Sequence, residues 1–124
     1  MDGTLNGHWE GVMQDVEGFN AQTTLDLDSP TQGELRGSFT FTLVGDHEPG
    51  KERRGELRGK LGADGAVSME TELPDVGRVA FEGRLFDVRY HARQAMAGVY
   101  TLSGAQQRPA RGGTAIFWLY VNKR

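Results

Sequence analysis

Apolar and polar residues alternate with a period of two along most of the chain, and short turn-like segments separate the alternating stretches. Leu25 and Leu27, for example, alternate with Thr24 and Asp26. A period of two places every second side chain on the same face of a β-strand, and repeated short stretches of this kind indicate an all-β fold. The pattern predicts an eight-stranded antiparallel up-and-down meander β-barrel that forms a single domain over residues 1–124.

Some of the turns between the predicted strands have clear sequence signals, and others do not. Ala63-Asp64-Gly65 predicts a tight hairpin, because Asp-Gly adopts the backbone twist that such turns require. The segment from Phe86 to Arg93 is compatible with strand or loop, or with a short helix near Asp87 to Gln94. The longest loop is predicted from Ser103 to Gly113, between strands seven and eight.

The inward faces of the predicted strands are strongly apolar. A barrel of eight strands is just wide enough for side chains to fill it or for one small ligand. Thr23, Thr71, Tyr100 and Tyr120 are the few polar groups predicted inside, so the lumen either packs solidly or accepts an apolar molecule. The candidate ligand contacts are Trp9, Phe39, Phe41, Met69, Phe81, Met96, Tyr100, Trp118 and Tyr120.

Strand eight departs from the alternation because both of its faces are apolar. A strand of this kind is usually buried on both sides. With Ile116, Trp118 and Tyr120 assigned to the lumen, the outward face consists of Ala115, Phe117, Leu119 and Val121. This face predicts a homo-oligomer, a dimer or tetramer, that associates through strands seven and eight. The alternative is that a loop of the same chain covers it.

Composition narrows the function classes. The chain has no cysteine, which excludes disulfides and thiolate chemistry, and its net charge of −3 argues against a general nucleic-acid partner. No apolar run is long enough to span a bilayer, and no signal peptide is evident, so we expect a cytoplasmic protein if the N-terminus is native. Acidic residues dominate the first strands and basic residues the last, which predicts cross-strand ion pairs where the barrel closes.

Few residues indicate catalysis. His8 and Glu10 share one strand face, which suits a general base with its partner, although an outward polar face has the same pattern. Tyr100 and Tyr120 are the other weak catalytic candidates. Asp46-His47-Glu48 and Lys51-Glu52-Arg53-Arg54 have the character of solvated segments, and we predict neither a metal site nor a cofactor. A basic rim for an anionic ligand is a further possibility, formed by Arg89, Tyr90, His91 and Arg93.

Short motifs connect the chain to a known family. Leu5-Asn6-Gly7-His8-Trp9 and the later Gly33-Glu34-Leu35-Arg36-Gly37-Ser38-Phe39 resemble the first hairpin of the calycin barrels, the avidins and lipocalins, as found in bacterial domains of this kind. The resemblance implies an eight-stranded barrel with Trp9 closing one end. The biotin site of the avidins does not carry over, because the matching stretch is Gly11-Val12-Met13-Gln14 and the chain has only two tryptophans.

These observations leave three functions open. The first is a non-catalytic binding module that holds a small apolar or amphipathic ligand at the barrel mouth, or acts as an oligomeric interaction domain. The second is a small barrel enzyme of the cyclase or isomerase type that acts on an apolar substrate. The third is a structural accessory domain with a solid core.

Overall fold

The computed structural model describes residues 5–18, 20–29, 33–43, 52–73, 77–87, 92–104 and 107–120, with only the backbone described at residues 43, 87, 92, 93, 107–110 and 120. The strands are β1 (Gly7–Asp15), β2 (Asn20–Leu27), β3 (Glu34–Leu43), β4 (Glu52–Leu61), β5 (Ala66–Leu73), β6 (Gly77–Asp87), β7 (Ala92–Gly104) and β8 (Gln107–Tyr120). The described residues include no helix long and apolar enough to cross a membrane.

The strands form one closed antiparallel barrel in the order β1 to β8, and β8 pairs with β1 to complete it. This confirms the predicted all-β, up-and-down architecture. We call the end where β1, β3, β5 and β7 finish the upper end, and the opposite end the lower end. Closure removes the free strand edges that an open sheet would expose.

Burial alternates along the strands as the sequence pattern predicts. In β1 every second residue from Trp9 to Asp15 is buried, and β2 and β5 show the same pattern. At the lower end Trp9 is fully buried, and its Nε1–H donates a hydrogen bond to the carbonyl oxygen of Leu5 at 2.9 Å. An indole ring held in this way fills the end of the barrel and keeps its polar atom satisfied.

Strand β8 has the opposite orientation to the one predicted. Phe117 is 1% exposed and packs edge-on against Phe81, with ring centroids 5.3 Å apart, whereas Ile116 is 38% exposed. Ala115 and Leu119 are also buried in the core. The prediction was wrong because both faces of β8 are apolar, so the pattern leaves the choice of face open, and pairing with a neighbouring strand decides it.

That pairing depends on a glycine. Gly11 lies opposite Phe117 in the β1–β8 ladder, and a Cβ atom added at Gly11 would come within 2.7 Å of Phe117 Cδ1. The aromatic ring of Phe117 therefore occupies the space that a side chain at position 11 would fill. This close approach seats Phe117 inside the barrel.

The predicted loop from Ser103 to Gly113 is mostly strand. β7 continues to Gly104 and β8 begins at Gln107, so the two strands form a long hairpin with a register shift between Leu102 and Gly104. The segment Phe86 to Arg93 belongs to β6 and β7 at its ends, and residues 88–91 lie outside the described part of the chain. The Asp-Gly hairpin is confirmed, because Gly65 adopts a φ of 91° between β4 and β5.

Side chains fill most of the lumen. The cavity left among residues such as Met13, Leu25, Phe39 and Phe81 has a volume of about 10 Å³. This is close to the space that a single water molecule requires. A ligand of drug size, which needs a few hundred cubic ångströms, has no preformed space deep in this part of the barrel.

Candidate functional site

Two buried hydroxyl groups lie inside the barrel toward its upper end. Thr23 on β2 and Thr71 on β5 are 3% and 4% exposed. Within the described part of the chain, neither Oγ1 atom has a hydrogen-bond partner. Buried polar atoms are normally paired, because an unsatisfied hydroxyl costs about 1–3 kcal/mol. These two positions therefore call for a partner that the described protein atoms do not supply.

Arg53 brings a positive charge to the same end of the barrel. On β4 it has the same phase as the buried Leu57, so it belongs to the inward face, and it pairs in register with Phe41 of β3. Its Nε atom is buried and has no hydrogen-bond partner among the described residues. The Arg53 side chain as a whole is half-buried. A guanidinium has only N–H donors, so its shielded Nε–H can be satisfied only by an acceptor.

Arg53 and Thr71 lie near each other across the β4–β5 ladder. Gly55, two residues along β4 from Arg53 and on the same face, approaches Thr71 so closely that an added Cβ would be 2.6 Å from Thr71 Oγ1. Thr71 pairs with Leu57 in the ladder. The Thr71 hydroxyl is therefore directed toward β4 at the position of Gly55, which is the next inward-facing residue of β4 after Arg53.

A second polar group closes the opposite side of the upper end. Asp15 of β1 is 8% exposed, and its Oδ1 lies 3.3 Å from an Nη atom of Arg111 on β8 and accepts a hydrogen bond from the Glu17 N–H at 2.7 Å. Glu17 lies 3.5 Å from the same guanidinium. These contacts confirm the predicted ion pairs between the acidic first strand and the basic last strand.

Tyr100 lies beside this ion pair. It is 7% exposed, and its register partner Gly113 is also the partner of Asp15, so the phenol and the carboxylate flank one glycine. Burial raises the pKa of Tyr100 to about 12, with a further upward contribution from Asp15 that Arg111 partly offsets. The phenol remains protonated at neutral pH and is available as a hydrogen-bond donor.

The structure places the predicted ligand contacts in two groups. Most of them face the lumen, as predicted: Trp9, Phe39, Phe41, Met69, Phe81, Met96 and Tyr100. Trp118 does not, because it lies on the outer face of β8, opposite Glu10 and Ala95 in the two ladders. The side chain of Tyr120 lies outside the described part of the chain.

The other predicted site residues divide into positions outside the described part of the chain and positions in the core. Arg89, Tyr90, His91 and Val121, and the side chain of Arg93, lie outside the described residues, as does Asp46-His47-Glu48. The predicted outward interface of Ala115, Phe117 and Leu119 is wrong, because all three are buried in the core.

His8 lies on the outer surface and not in the lumen. Its Nδ1 is 2.8 Å from Asp26 Oδ1 and its Nε2 is 3.0 Å from Glu10 Oε2, and the side chain is about half exposed. Both ring nitrogens can donate only when the imidazole is protonated. The hydrogen bond to Asp26, assisted by Glu10 and opposed by partial desolvation, raises the pKa of His8. The barrel wall separates this group from Tyr100, so the two do not form an acid–base pair.

A wider groove on the outer surface shows no comparable chemistry. It crosses β3 to β6, has a volume of about 1290 Å³ and is lined by acidic and basic residues in equal number. Much of its charge is paired, with Arg36 Nε 3.0 Å from Glu34 Oε2 and Arg78 bound to Glu70. Exposed pairs of this kind contribute little to stability or recognition.

Sequence reasoning does not identify Arg53, Asp15 and Arg111 as inward-facing residues of the site. It assigns Arg53 to a solvated segment, and it treats Asp15 and Arg111 only as charges that could pair where β1 meets β8. The signal that identifies Arg53 is its phase, since it lies two and four residues before the inward Gly55 and Leu57. Asp15 likewise continues the inward series of Trp9, Gly11 and Met13.

The comparisons with known proteins show the fold. No protein-family model and no curated protein matches the chain. A solved structure of EF1p2_mFAP2b bound to DFHBI is similar, with a TM-score of 0.71, 14% identity and coverage of 93% of both chains. A second solved structure, from the de novo design of a fluorescence-activating β-barrel, has a TM-score of 0.63 and 16% identity, and the match covers 96% of this chain and 98% of the designed one. At these identities the similarity is one of architecture.

Proposed function

We propose that the chain is a non-catalytic binding module that holds a small amphipathic molecule at the upper end of the barrel. The observation that supports this most directly is that the hydroxyls of Thr23 and Thr71 have no hydrogen-bond partner among the described residues, while each residue is more than nine-tenths buried. Polar groups retained at such positions lower stability, and functional sites are where proteins commonly accept that cost.

The ligand is proposed to bind at the upper end and not deep in the lumen. The cavity of about 10 Å³ among the described residues around Met13 and Phe81 is too small for more than a water molecule. Side chains at the upper end, such as Phe41, Leu73 and Val79, offer apolar contact beside the polar groups. Met13 and Met69 belong to the same core and are flexible enough to shift for a short alkyl group.

Two similarities are consistent with this proposal. A barrel of the same fold, EF1p2_mFAP2b, has been solved with the small molecule DFHBI bound. The opening motif around Trp9 resembles that of the calycin barrels, whose members include ligand-binding lipocalins and avidins. We propose membership of this broad class on the motif, without the biotin-binding residues of avidin.

The test is to replace the Thr71 hydroxyl with a methyl group. Thr71→Val keeps the side-chain shape, so we expect the free energy of unfolding to rise by about 1 kcal/mol because an unsatisfied hydroxyl is removed. If the hydroxyl serves binding, the affinity for a probe such as 1-decanol falls about tenfold in the same variant. Urea denaturation and isothermal titration calorimetry measure the two effects.

Thr101→Val is the matched control, because Thr101 lies on the outer face of β7 and is exposed. It should leave probe affinity unchanged. A wild-type protein that binds neither 1-decanol nor decanoate contradicts the proposal. An increase in stability without any loss of affinity would assign Thr71 no role in binding.

A second role, association between copies of the chain, has its own observation. Val12 of β1 and Ile116 of β8 are register partners whose side chains are exposed on the outer face. The outer faces of the neighbouring strands β6 and β7 add two further exposed apolar residues, which gives the set Val12 (47% exposed), Ile116 (38%), Val99 (56%) and Phe86 (50%). An exposed apolar patch on a small barrel is typical of an interaction surface. These residues replace the buried set that the sequence pattern assigns to the interface.

We expect the chain to form a dimer through this patch. Substituting Ile116 with lysine should convert it to a monomer, because a charge would be desolvated in the apolar interface. Native mass spectrometry at several protein concentrations measures the change. A wild-type protein that stays monomeric at high micromolar concentration excludes a stable dimer.

A further inference from the structure

We infer that the polar end of the bound molecule is a carboxylate and that Arg53 is the residue that binds it. This inference rests on the proposed function and specifies the chemical class of its ligand. It starts from the two guanidinium groups that face inward at the upper end, those of Arg53 and Arg111.

The two arginines differ in what surrounds them. Arg111 is held by two carboxylates of the same chain, 3.3 Å from Asp15 and 3.5 Å from Glu17. Arg53 makes no ion pair with any described carboxylate. Arg111 is therefore already neutralised, whereas Arg53 has its charge and a shielded donor available.

Charge at this end of the barrel favours an anion. Arg111 is balanced by Asp15 and Glu17, whereas Arg53 has no ion-pair partner among the described carboxylates, so its charge is the one left unpaired there. A partly desolvated guanidinium binds an anion more strongly than one in water, because the local dielectric constant is lower. A monoanionic ligand would balance this charge.

The arrangement of donors suits a carboxylate in particular. A guanidinium presents parallel N–H groups that match the two oxygens of a carboxylate. The Thr71 hydroxyl points across β4 beside this position and supplies a further donor. The alkyl part of such a ligand would lie against Phe41, the inward neighbour of Arg53 on β3, and against Leu73.

Calorimetric titration with decanoate and with 1-decanol at concentrations below micelle formation tests the assignment. The wild-type protein is expected to bind decanoate about tenfold more tightly than decanol. Arg53→Gln should abolish that preference by weakening decanoate binding about tenfold while leaving decanol binding nearly unchanged. Arg53→Lys should retain only part of the preference, because an ammonium keeps the charge and loses the paired N–H geometry.

Arg54→Gln is the matched control. Arg54 is the next residue of the same strand, carries the same charge and is exposed on the outer face. It should behave as wild type. Equal losses in the Arg53 and Arg54 variants would indicate a general effect of surface charge and overturn the inference.

The outcomes also separate this inference from the function on which it rests. If the wild-type protein binds decanol and decanoate equally, the binding module stands and the carboxylate assignment is wrong. If it binds neither, both are wrong. A preference for decanoate that survives in Arg53→Gln would overturn the assignment to Arg53. Thermal unfolding of each variant verifies that a lost preference does not come from a lost fold.

Discussion

Phe117→Ala is expected to lower the free energy of unfolding by about 3–5 kcal/mol, the range typical for removing a buried phenylalanine. The ring is 1% exposed, contacts Phe81 edge-on and lies against the backbone of Gly11. Gly11 has no side chain that could move into the space, so the cavity would remain open. Urea denaturation followed by tryptophan fluorescence measures the loss.

The neighbouring residue provides the control for this experiment. Ile116→Ala changes a side chain of similar apolar character on the outer face, where it is 38% exposed. Measured at a protein concentration at which the chain is monomeric, it should lower the free energy of unfolding by less than about 1 kcal/mol. If Phe117→Ala does not fold, Phe117→Leu can be used instead, because it leaves a smaller cavity and a folded protein whose free energy of unfolding can be measured. A larger effect at Ile116 than at Phe117 would show that β8 has the opposite orientation.

Trp9→Ala is expected to have an effect of the same size, about 3–5 kcal/mol. Trp9 is fully buried and closes the lower end, and its indole N–H satisfies the carbonyl oxygen of Leu5. Truncation therefore opens a cavity and leaves a buried carbonyl unpaired. Because small domains are stable by only about 5–15 kcal/mol, either substitution removes a large part of the total.

Trp118→Ala is the comparison for Trp9→Ala, since Trp118 is partly exposed on the outer face of β8. It should lower the free energy of unfolding clearly less than Trp9→Ala does. Spectroscopy gives a second readout. With Trp118 changed to phenylalanine, the remaining Trp9 should resist quenching by iodide, and with Trp9 changed to phenylalanine, Trp118 should be quenched. Quenching of both to the same degree would contradict the burial of Trp9.

Where one strand face is apolar and the other polar, the sequence alone predicts this fold well. Met13 in β1 and Leu25 in β2 are buried as the alternation predicts. The alternation is uninformative at β8, where Ile116 and Phe117 are both apolar and only the pairing across Gly11 decides between them. Pairing is a long-range property that a local period of two does not contain.

The hairpin of β7 and β8 shows a second limit of local reasoning. Residues from Ser103 to Gly113 include a proline and several glycines, which are the usual marks of a loop. In the structure residues 103–104 extend β7 and residues 107–113 extend β8, with a register shift beside Gly104. Glycines in small barrels permit strong bending of a strand, so they do not by themselves end one.

The candidate site can be predicted only in part, because its polar members look like ordinary surface charges. Thr23, Thr71 and Tyr100 are identifiable as interior polar groups from their phase. Arg53 lies among other charged residues, which hides it, although the same phase argument applies to it. A charged residue in phase with buried leucines carries at least as much information as a buried threonine, since burying it is far more costly.

The closure of the barrel between β1 and β8 has a practical consequence. β1 begins and β8 ends at the lower end, on neighbouring strands, with Trp9 paired to Leu119. A tag, tether or fused domain attached before β1 or after β8 would leave the barrel on the side away from Arg53 and the two threonines. Because the two strands are adjacent, a short peptide could connect the end of β8 to the start of β1. New chain termini could then be introduced at another turn of the lower end, such as the Asp-Gly hairpin, and this circular permutation would leave the barrel wall unaltered.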